Sequence, residues 1–314
     1  MKRKILSIDG GGIKGVFAAR FLADIEEQYN IHLCDYFDII TGTSTGAIIA
    51  CGLSLGISAS EILNLYLEKG GYIFKGSKTI GTLKSAFNSK YKNKNLRHCL
   101  EEVFGDKCIG ESKTRLLIPT VNIETGCVEI FKTSHSPKYI RDYKSKIVDV
   151  LLSTTAAPTY FPAYRFINRG RYIDGGVGAN NPSYIAVVEG LTSCGWERED
   201  ICLLSIGCTD DYKKFPSTRN VSASQVLDII KFFMRAEVQY SENISKLLLG
   251  TKNYIRINPN IPTGECKLDD TSRKSMNILI SYAKDESKKN MVDIKNMFLE
   301  EKKEVFIPCH SGNR

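Results

Sequence analysis

The sequence predicts an α/β fold in three layers, with a largely parallel sheet covered by helices on both faces. Three observations point there. Short apolar runs that read as strands alternate with segments whose apolar residues recur every three or four positions. Glycine-rich turns stand at the strand-to-helix junctions. Finally, the 314 residues hold no internal repeat, low-complexity tract or long Pro/Gly/Ser linker, so a single domain over 1–314 is the simplest organisation. Strands that alternate with helices are joined by crossovers, which sandwich parallel strands between helical layers.

Taken in order, "KILSI" (4–8) reads as a buried strand. After the glycines, Ala18, Phe21, Leu22 and Ile25 form one helical face. "YFDIITG" is a second strand, followed at once by "TGAIIACGLSLG", apolar nearly all round and therefore a buried helix. "RLLIPTVNI", "VEIFKT", "ICLLSIG" and "NYIRINP" are further strand candidates, and helices are expected at 59–69, 145–153, 183–193, 223–249 and 275–302. The polar stretch 70–95, rich in Gly, Lys and Asn, reads as an excursion over one end of the sheet.

Composition excludes several classes. Hydrophobic residues make up 42% and charged residues 25%, as in ordinary globular chains. No run approaches the ~18 apolar residues of a spanning helix, and the apolar run before Asp9 is shorter than the ~7–15 residues of a signal-peptide core. A cytoplasmic protein is therefore expected. The ten cysteines form no C-x-x-C pair and read as small buried hydrophobes rather than disulfides or metal ligands. The net charge of +8 is locally denser at 84–98 and 273–303, which suits solvated faces or an anionic lipid or nucleotide. No nucleic-acid-binding motif accompanies it, so no nucleic-acid polymer is expected as a partner.

The chemistry concentrates in glycine motifs. Gly10, Gly12 and Gly15 stand at G-x-G-x-x-G spacing. A dinucleotide fold also needs an acidic residue ending the second strand. Asp35 and Asp38 precede that strand's apolar core instead, and Asp9 would repel a pyrophosphate. "GTSTG", Gly42 to Gly46, matches G-x-S-x-G between a strand and a helix, the context of a nucleophile elbow. Ser44 is the candidate nucleophile, lifted clear of the sheet at a helix amino end. Its attack on an ester creates an oxyanion that backbone N–H groups must receive. If the first two strands are adjacent, the loop Gly10-Gly11-Gly12 can face Ser44 and supply them.

Serine needs a base. His32, His98, His135 and His310 all read as surface histidines, with His310 alone placed late enough in the chain for a Ser–acid–His triad. The other candidate is Asp174 in "RYIDGGVGANNP", where Gly175 and Gly176 permit a sharp turn that points the carboxylate into a site.

In this order "DGGGIKG", "GTSTG", "TTAAPTYFPAY" (154–164) and "DGG" resemble the patatin-like phospholipase family, over roughly residues 4–210. The C-terminal part, 220–314, is expected to be mainly helical. The resemblance implies a patatin-like α/β/α fold, acyl hydrolysis of phospholipid through a Ser44–Asp174 dyad, and no metal or cofactor. It also implies an oxyanion hole from Gly10, Gly11 and Gly12 with the N–H of Thr45. Lys14 stands where many members carry arginine, and Cys208 where members often have a small or hydroxyl residue. The segment 131–164 is further similar to bacterial patatin-like effectors of cyclic-oligonucleotide antiphage systems (CBASS). That similarity implies a cyclic oligonucleotide activator, a phospholipid substrate at the inner membrane surface and a homo-oligomer, with a constitutive lipid esterase as the alternative role. The apolar stripe Val226, Ile229, Ile230, Phe233, Met234 and Val238 is either core packing or a lid facing lipid.

Overall fold

The computed structural model describes residues 2–75, 89–210 and 226–311, with side chains in the last segment from 229 onward. The first half runs β1 (Arg3–Ile8), α1 (Gly15–Tyr29), β2 (Ile39–Gly42), α2 (Thr45–Leu55), α3 (Ala59–Ile73), α4 (Asn93–Phe104), β3 (Arg115–Asn122) and β4 (Cys127–Lys132). The second runs α5 (Ile147–Thr154), β5 (Tyr164–Phe166), β6 (Gly170–Asp174), α6 (Gly176–Ala179), α7 (Ser183–Thr192), β7 (Ile201–Ile206), α8 (Val226–Leu249), β8 (Tyr254–Ile257) and α9 (Arg273–Phe298).

The strand order is β5-β6-β3-β2-β1-β7-β8, with β4 paired to β3 outside that path. Side chains alternate across the strands, as the pleat requires. Leu6, Ile8, Leu204 and Ile206 join one large core with residues of α1 to α5 and α9. Ile5, Ile201 and Leu203 turn the other way, toward α7 and the end of α8. The three-layer α/β/α expectation holds. The sheet, however, is mixed. Pairings from β3 through β2, β1 and β7 to β8 are parallel, whereas β3–β4, β3–β6 and β5–β6 are antiparallel.

The register of β3 positions the site. Leu117 pairs with both Thr41 and Lys132, and Thr120 with both Glu129 and Asp174. Hence β2 and β6 share one edge of β3, and β4 holds the other. Since β2 runs parallel to β3 and β6 antiparallel, their carboxyl ends point at each other across a gap beside Ile118 and Pro119. Proline, which has no N–H for a ladder, stands at this break. Its carbonyl accepts a hydrogen bond from Thr154 Oγ1 at 2.6 Å.

Residues 70–95 are only partly an excursion. Helix α3 continues to Ile73 and α4 begins at Asn93, while 76–88 lie outside the described residues. Helix α4 escapes the apolar-period reading because it buries only Leu96, Cys99, Leu100 and Phe104 beneath a polar surface. Six of the ten cysteines are buried, as small core residues. Among the described residues no helix is long and apolar enough to cross a membrane.

Candidate active site

The gap between β2 and β6 brings Ser44 and Asp174 together. Ser44 sits between β2 and α2 with φ 54° and ψ −118°, a left-handed conformation that is strained for a residue with a Cβ. The turn is held from below, where the Ser44 N–H donates to Thr154 Oγ1 at 3.1 Å. Gly46 lets the first turn of α2 lie against β1, since a Cβ there would stand 2.3 Å from the Ile8 carbonyl oxygen. The Ser44 hydroxyl donates to Asp174 Oδ2 at 2.6 Å.

Asp174 ends β6 and is buried. Its second oxygen, Oδ1, accepts the Gly176 N–H at 2.7 Å, which is the use the sharp D-G-G turn serves. It makes no ion pair among the described residues. Burial pushes its carboxyl up to about 6, against the two hydrogen bonds that favour the charged form. A carboxylate with that affinity for a proton, in contact with a hydroxyl, can act as a base near neutral pH.

The loop after β1 borders the same cavity, which measures about 110 Å³ and is walled by apolar side chains including Ile13, Ile48, Phe74, Leu96 and Phe161. Gly11 and Gly12 line it, and their N–H groups have no acceptor among the described residues. Gly10 differs from them. Its N–H is donated to the Asn180 carbonyl at 3.1 Å, and its own carbonyl accepts Asn180 Nδ2 at 3.3 Å. The expected oxyanion role of Gly10 is therefore corrected to an anchoring one, because its only donor is taken. Gly11 packs on Cys208 and Gly12, at φ 57°, on the Leu268 carbonyl; a Cβ at either would meet those neighbours at 2.3 Å. Thr45, in the first turn of α2, lines the cavity too, and its hydroxyl lies 2.6 Å from that of Tyr66.

Just before the loop, Asp9 is fixed by Arg256 of β8, which donates to its two oxygens at 2.9 and 2.5 Å. Arg256, Asn180 and Thr154 are supporting residues that no sequence motif marked by role, and Asp9, weighed above only as unfit beside a pyrophosphate, is a fourth. For Asn180 and Thr154 the signal was in the quoted motifs. Arg256 arrives from a strand 247 residues away and carries none.

His310 lies elsewhere, with Nε2 on the Pro137 carbonyl at 3.2 Å and its ring against Tyr143. No contact joins it to Ser44, so the triad expectation is not realised. His135 is not a surface residue either. Its side chain is fully buried, and Nε2 meets Glu189 Oε1 at 2.9 Å. Along α8, Ile230 and Met234 line the Ser44 cavity while Phe233 is exposed, so the stripe forms a wall of the site. The side chain of Val226 lies outside the described residues.

A mixed α/β sheet that presents a serine on a strained strand–helix turn, with a carboxylate against its hydroxyl, defines the class: a hydrolase of the nucleophile-elbow type. The family model described as "Patatin-like phospholipase" matches residues 6–187, and the chain belongs to that family. A protein of Vibrio cholerae named "cGAMP-activated phospholipase" is 32% identical over 315 residues, covering 88% of each chain. One of Escherichia coli with the same name is 38% identical over 229 residues, covering 68% of this chain and 64% of its own length. The crystal structure of VipD from Legionella pneumophila aligns with a TM-score of 0.50 at 13% identity, over 93% of this chain and 67% of that one, which is a likeness of fold.

Proposed function

We propose that this protein is a serine acyl hydrolase that releases fatty acids from membrane phospholipids through Ser44 and Asp174, and that a cyclic oligonucleotide switches it on. The observation that carries the reading is the 2.6 Å contact from Ser44 Oγ to a buried carboxylate that makes no ion pair among the described residues.

In the first step Asp174 takes the hydroxyl proton as Ser44 Oγ bonds to the ester carbonyl carbon. The resulting oxyanion is received by the N–H groups of Gly11 and Gly12, with that of Thr45 at the amino end of α2. As the tetrahedral intermediate collapses, the ester C–O bond breaks and the lyso-lipid leaves with the proton from Asp174. Water then attacks the acyl-serine, again giving its proton to Asp174, and the fatty acid departs as Ser44 regains its hydrogen. The apolar cavity walls suit an acyl chain.

Activation by a nucleotide is supported by the relatives, three of which are named cGAMP-activated phospholipases. In this reading the enzyme works from the cytoplasm on the inner membrane surface as one catalytic unit spanning 1–314. The test is fatty-acid release from bacterial phospholipid vesicles, with and without a panel of cyclic di- and trinucleotides and with Ser44→Ala as blank. Release that needs one nucleotide and vanishes in the variant is expected. Equal release without nucleotide would leave a constitutive lipid esterase, and no release under any condition would overturn the hydrolase reading.

A further inference from the structure

Three consecutive residues after the D-G-G turn tie separate parts of the site together. The Ala179 carbonyl accepts the hydroxyl of Thr43, one residue before the nucleophile, at 2.7 Å. Asn180 takes both main-chain groups of Gly10, its carbonyl accepting the N–H and its Nδ2 donating to the carbonyl. Both main-chain groups of Asn181 are in turn taken by α8. Its N–H donates to Glu237 Oε2 at 3.0 Å, and its carbonyl accepts the Ser241 hydroxyl at 2.6 Å. Asn181 is buried, so these side chains stand where water would otherwise have to.

Ile230, Met234, Glu237 and Ser241 follow one another at steps of four, three and four, which places them on one face of the helix. The first two wall the Ser44 cavity. Met234 also packs on Gly176, where a Cβ would stand 2.8 Å from its Cε, and the Gly176 N–H is the one that holds Asp174 Oδ1. One face of α8 therefore touches the cavity, the turn that carries the base, and the segment 179–181. Glu237 and Ser241 lie beyond the residues 6–187 that the family model matches, and no motif assigns them a part.

Glu237 serves as an acceptor more than as a charge. Burial, with Asp9 nearby, pushes its carboxyl up to about 7, against the N–H groups of Asn181 and Asn180 and the Arg256 guanidinium. Near neutral pH it is thus protonated in a large share of molecules, and a carboxyl oxygen can accept the Asn181 N–H in either state.

We infer that Glu237, together with Ser241, is a positioning residue: it seats the segment 179–181 and, through Asn180, fixes the glycine loop where the Gly11 and Gly12 N–H groups meet the oxyanion. The part those donors play rests on the acyl-hydrolase reading above; the mechanical link does not. The path is short. One peptide bond separates Asn181 from Asn180, and Gly10 directly precedes the donors. The far end of the loop is pinned elsewhere, by the Ile13 N–H on the Leu268 carbonyl at 2.8 Å, so Asn180 sets the near end. A misplacement of about 1 Å in such groups can cost about 100-fold in rate.

The test uses the full chain with Glu237→Ala, Glu237→Gln and Ser241→Ala. Under the nucleotide condition that supports vesicle hydrolysis, kcat and KM are measured for p-nitrophenyl butyrate, and Ki for a trifluoromethyl ketone. Ser44 Oγ bonds to the ketone carbon, its proton passes to Asp174, and the ketone oxygen becomes an oxyanion on the same donors. Amide hydrogen exchange of peptides covering 9–14 gives a readout that needs no turnover.

Glu237→Ala is expected to lower kcat about 100-fold and raise Ki by a like factor, with KM within about twofold of wild type. Exchange at 9–14 should accelerate about tenfold or more. Ser241→Ala, a smaller change that decides the matter if Glu237→Ala does not fold, should move kcat and Ki the same way by about tenfold. Glu237→Gln keeps the length and an acceptor oxygen, so its kcat should stay within about threefold of wild type. Wild-type kcat, Ki and exchange in the alanine variants, even with a lowered urea midpoint, would overturn the positioning role. A wild-type protein that neither cleaves the ester nor binds the ketone defeats the acyl-hydrolase reading alone, and exchange at 9–14 then decides the link.

Discussion

Asp174 and Glu189 are both buried acids, at 4% and 6% exposure, yet their surroundings push them in opposite directions. Around Glu189, burial is outweighed by hydrogen bonds from His135, Lys132 and Tyr139 at 2.9, 2.6 and 2.7 Å, which hold the carboxyl down to about 2. Around Asp174 there is a hydroxyl and one backbone N–H, and burial wins. The two sites share depth and differ in whether a cation stands beside the acid. One knits α7 to β4 and the segment beyond it. The other keeps an affinity for protons that a structural ion pair would remove.

Replacing the reactive pair probes the contrast at its strongest. Ser44→Ala is expected to abolish ester hydrolysis, by about 10⁴-fold or more, with the fold retained in circular dichroism. Asp174→Asn keeps the shape and one acceptor for the Gly176 N–H but puts a donor-only amide against Ser44 and removes the base, and activity should fall by about 10²–10⁴-fold. The same variant should be more stable. The folded protein holds the Asp174 proton up to about pH 6 and the unfolded chain only to 3.8, so this group's burden on stability grows as pH rises through that window and is complete above it. Relief of about 2–3 kcal/mol at pH 8 follows from that difference, measured by urea unfolding.

The pH profile sharpens the comparison without mutation. Initial rates should rise about tenfold per unit below pH 6 and level off above it, as Asp174 loses its proton. A flat profile from pH 5 to 8 would remove Asp174 as the base. The smallest effect on turnover is expected at the other acid. Glu189→Gln should change activity less than threefold or so, yet lower stability at pH 7 by about 1–3 kcal/mol. Because its carboxyl is held down in the fold, Glu189 contributes stability above about pH 4.5 that is lost as pH falls toward 2. Calorimetric Tm values of the variant and wild type should therefore converge in acid.

The two acids also differ in how legible they were. Asp174 announces itself because a sharp turn needs glycines, so strand, aspartate and two glycines stand together in the chain. Glu189 sits inside a helix, and its partners Lys132 and His135 lie more than 50 residues away; nothing local marks them, and His135 read as a surface residue. The parallel half of the sheet followed from alternation of strands and helices. The antiparallel half did not, because β6 finds β3 through long-range pairing, with β4 and β5 added as local partners of β3 and β6. That pairing is what aims Asp174 at Ser44. Helix α4 was hidden by its polar face. Arg256, which fixes Asp9, comes from a distant strand that carries no motif. Cys208, given no role from sequence, packs on Gly11 of the loop.

The dyad is tested most directly by reaction with a fluorophosphonate, in which Ser44 Oγ bonds to phosphorus and fluoride leaves. Intact mass and peptide mapping would follow the adduct from pH 5 to 8 in the wild type, Asp174→Asn and Glu189→Gln. Labelling at Ser44 is expected to accelerate through about pH 6, to be lost in Asp174→Asn and to persist in Glu189→Gln. Labelling of Ser44 at the wild-type rate in Asp174→Asn would contradict it.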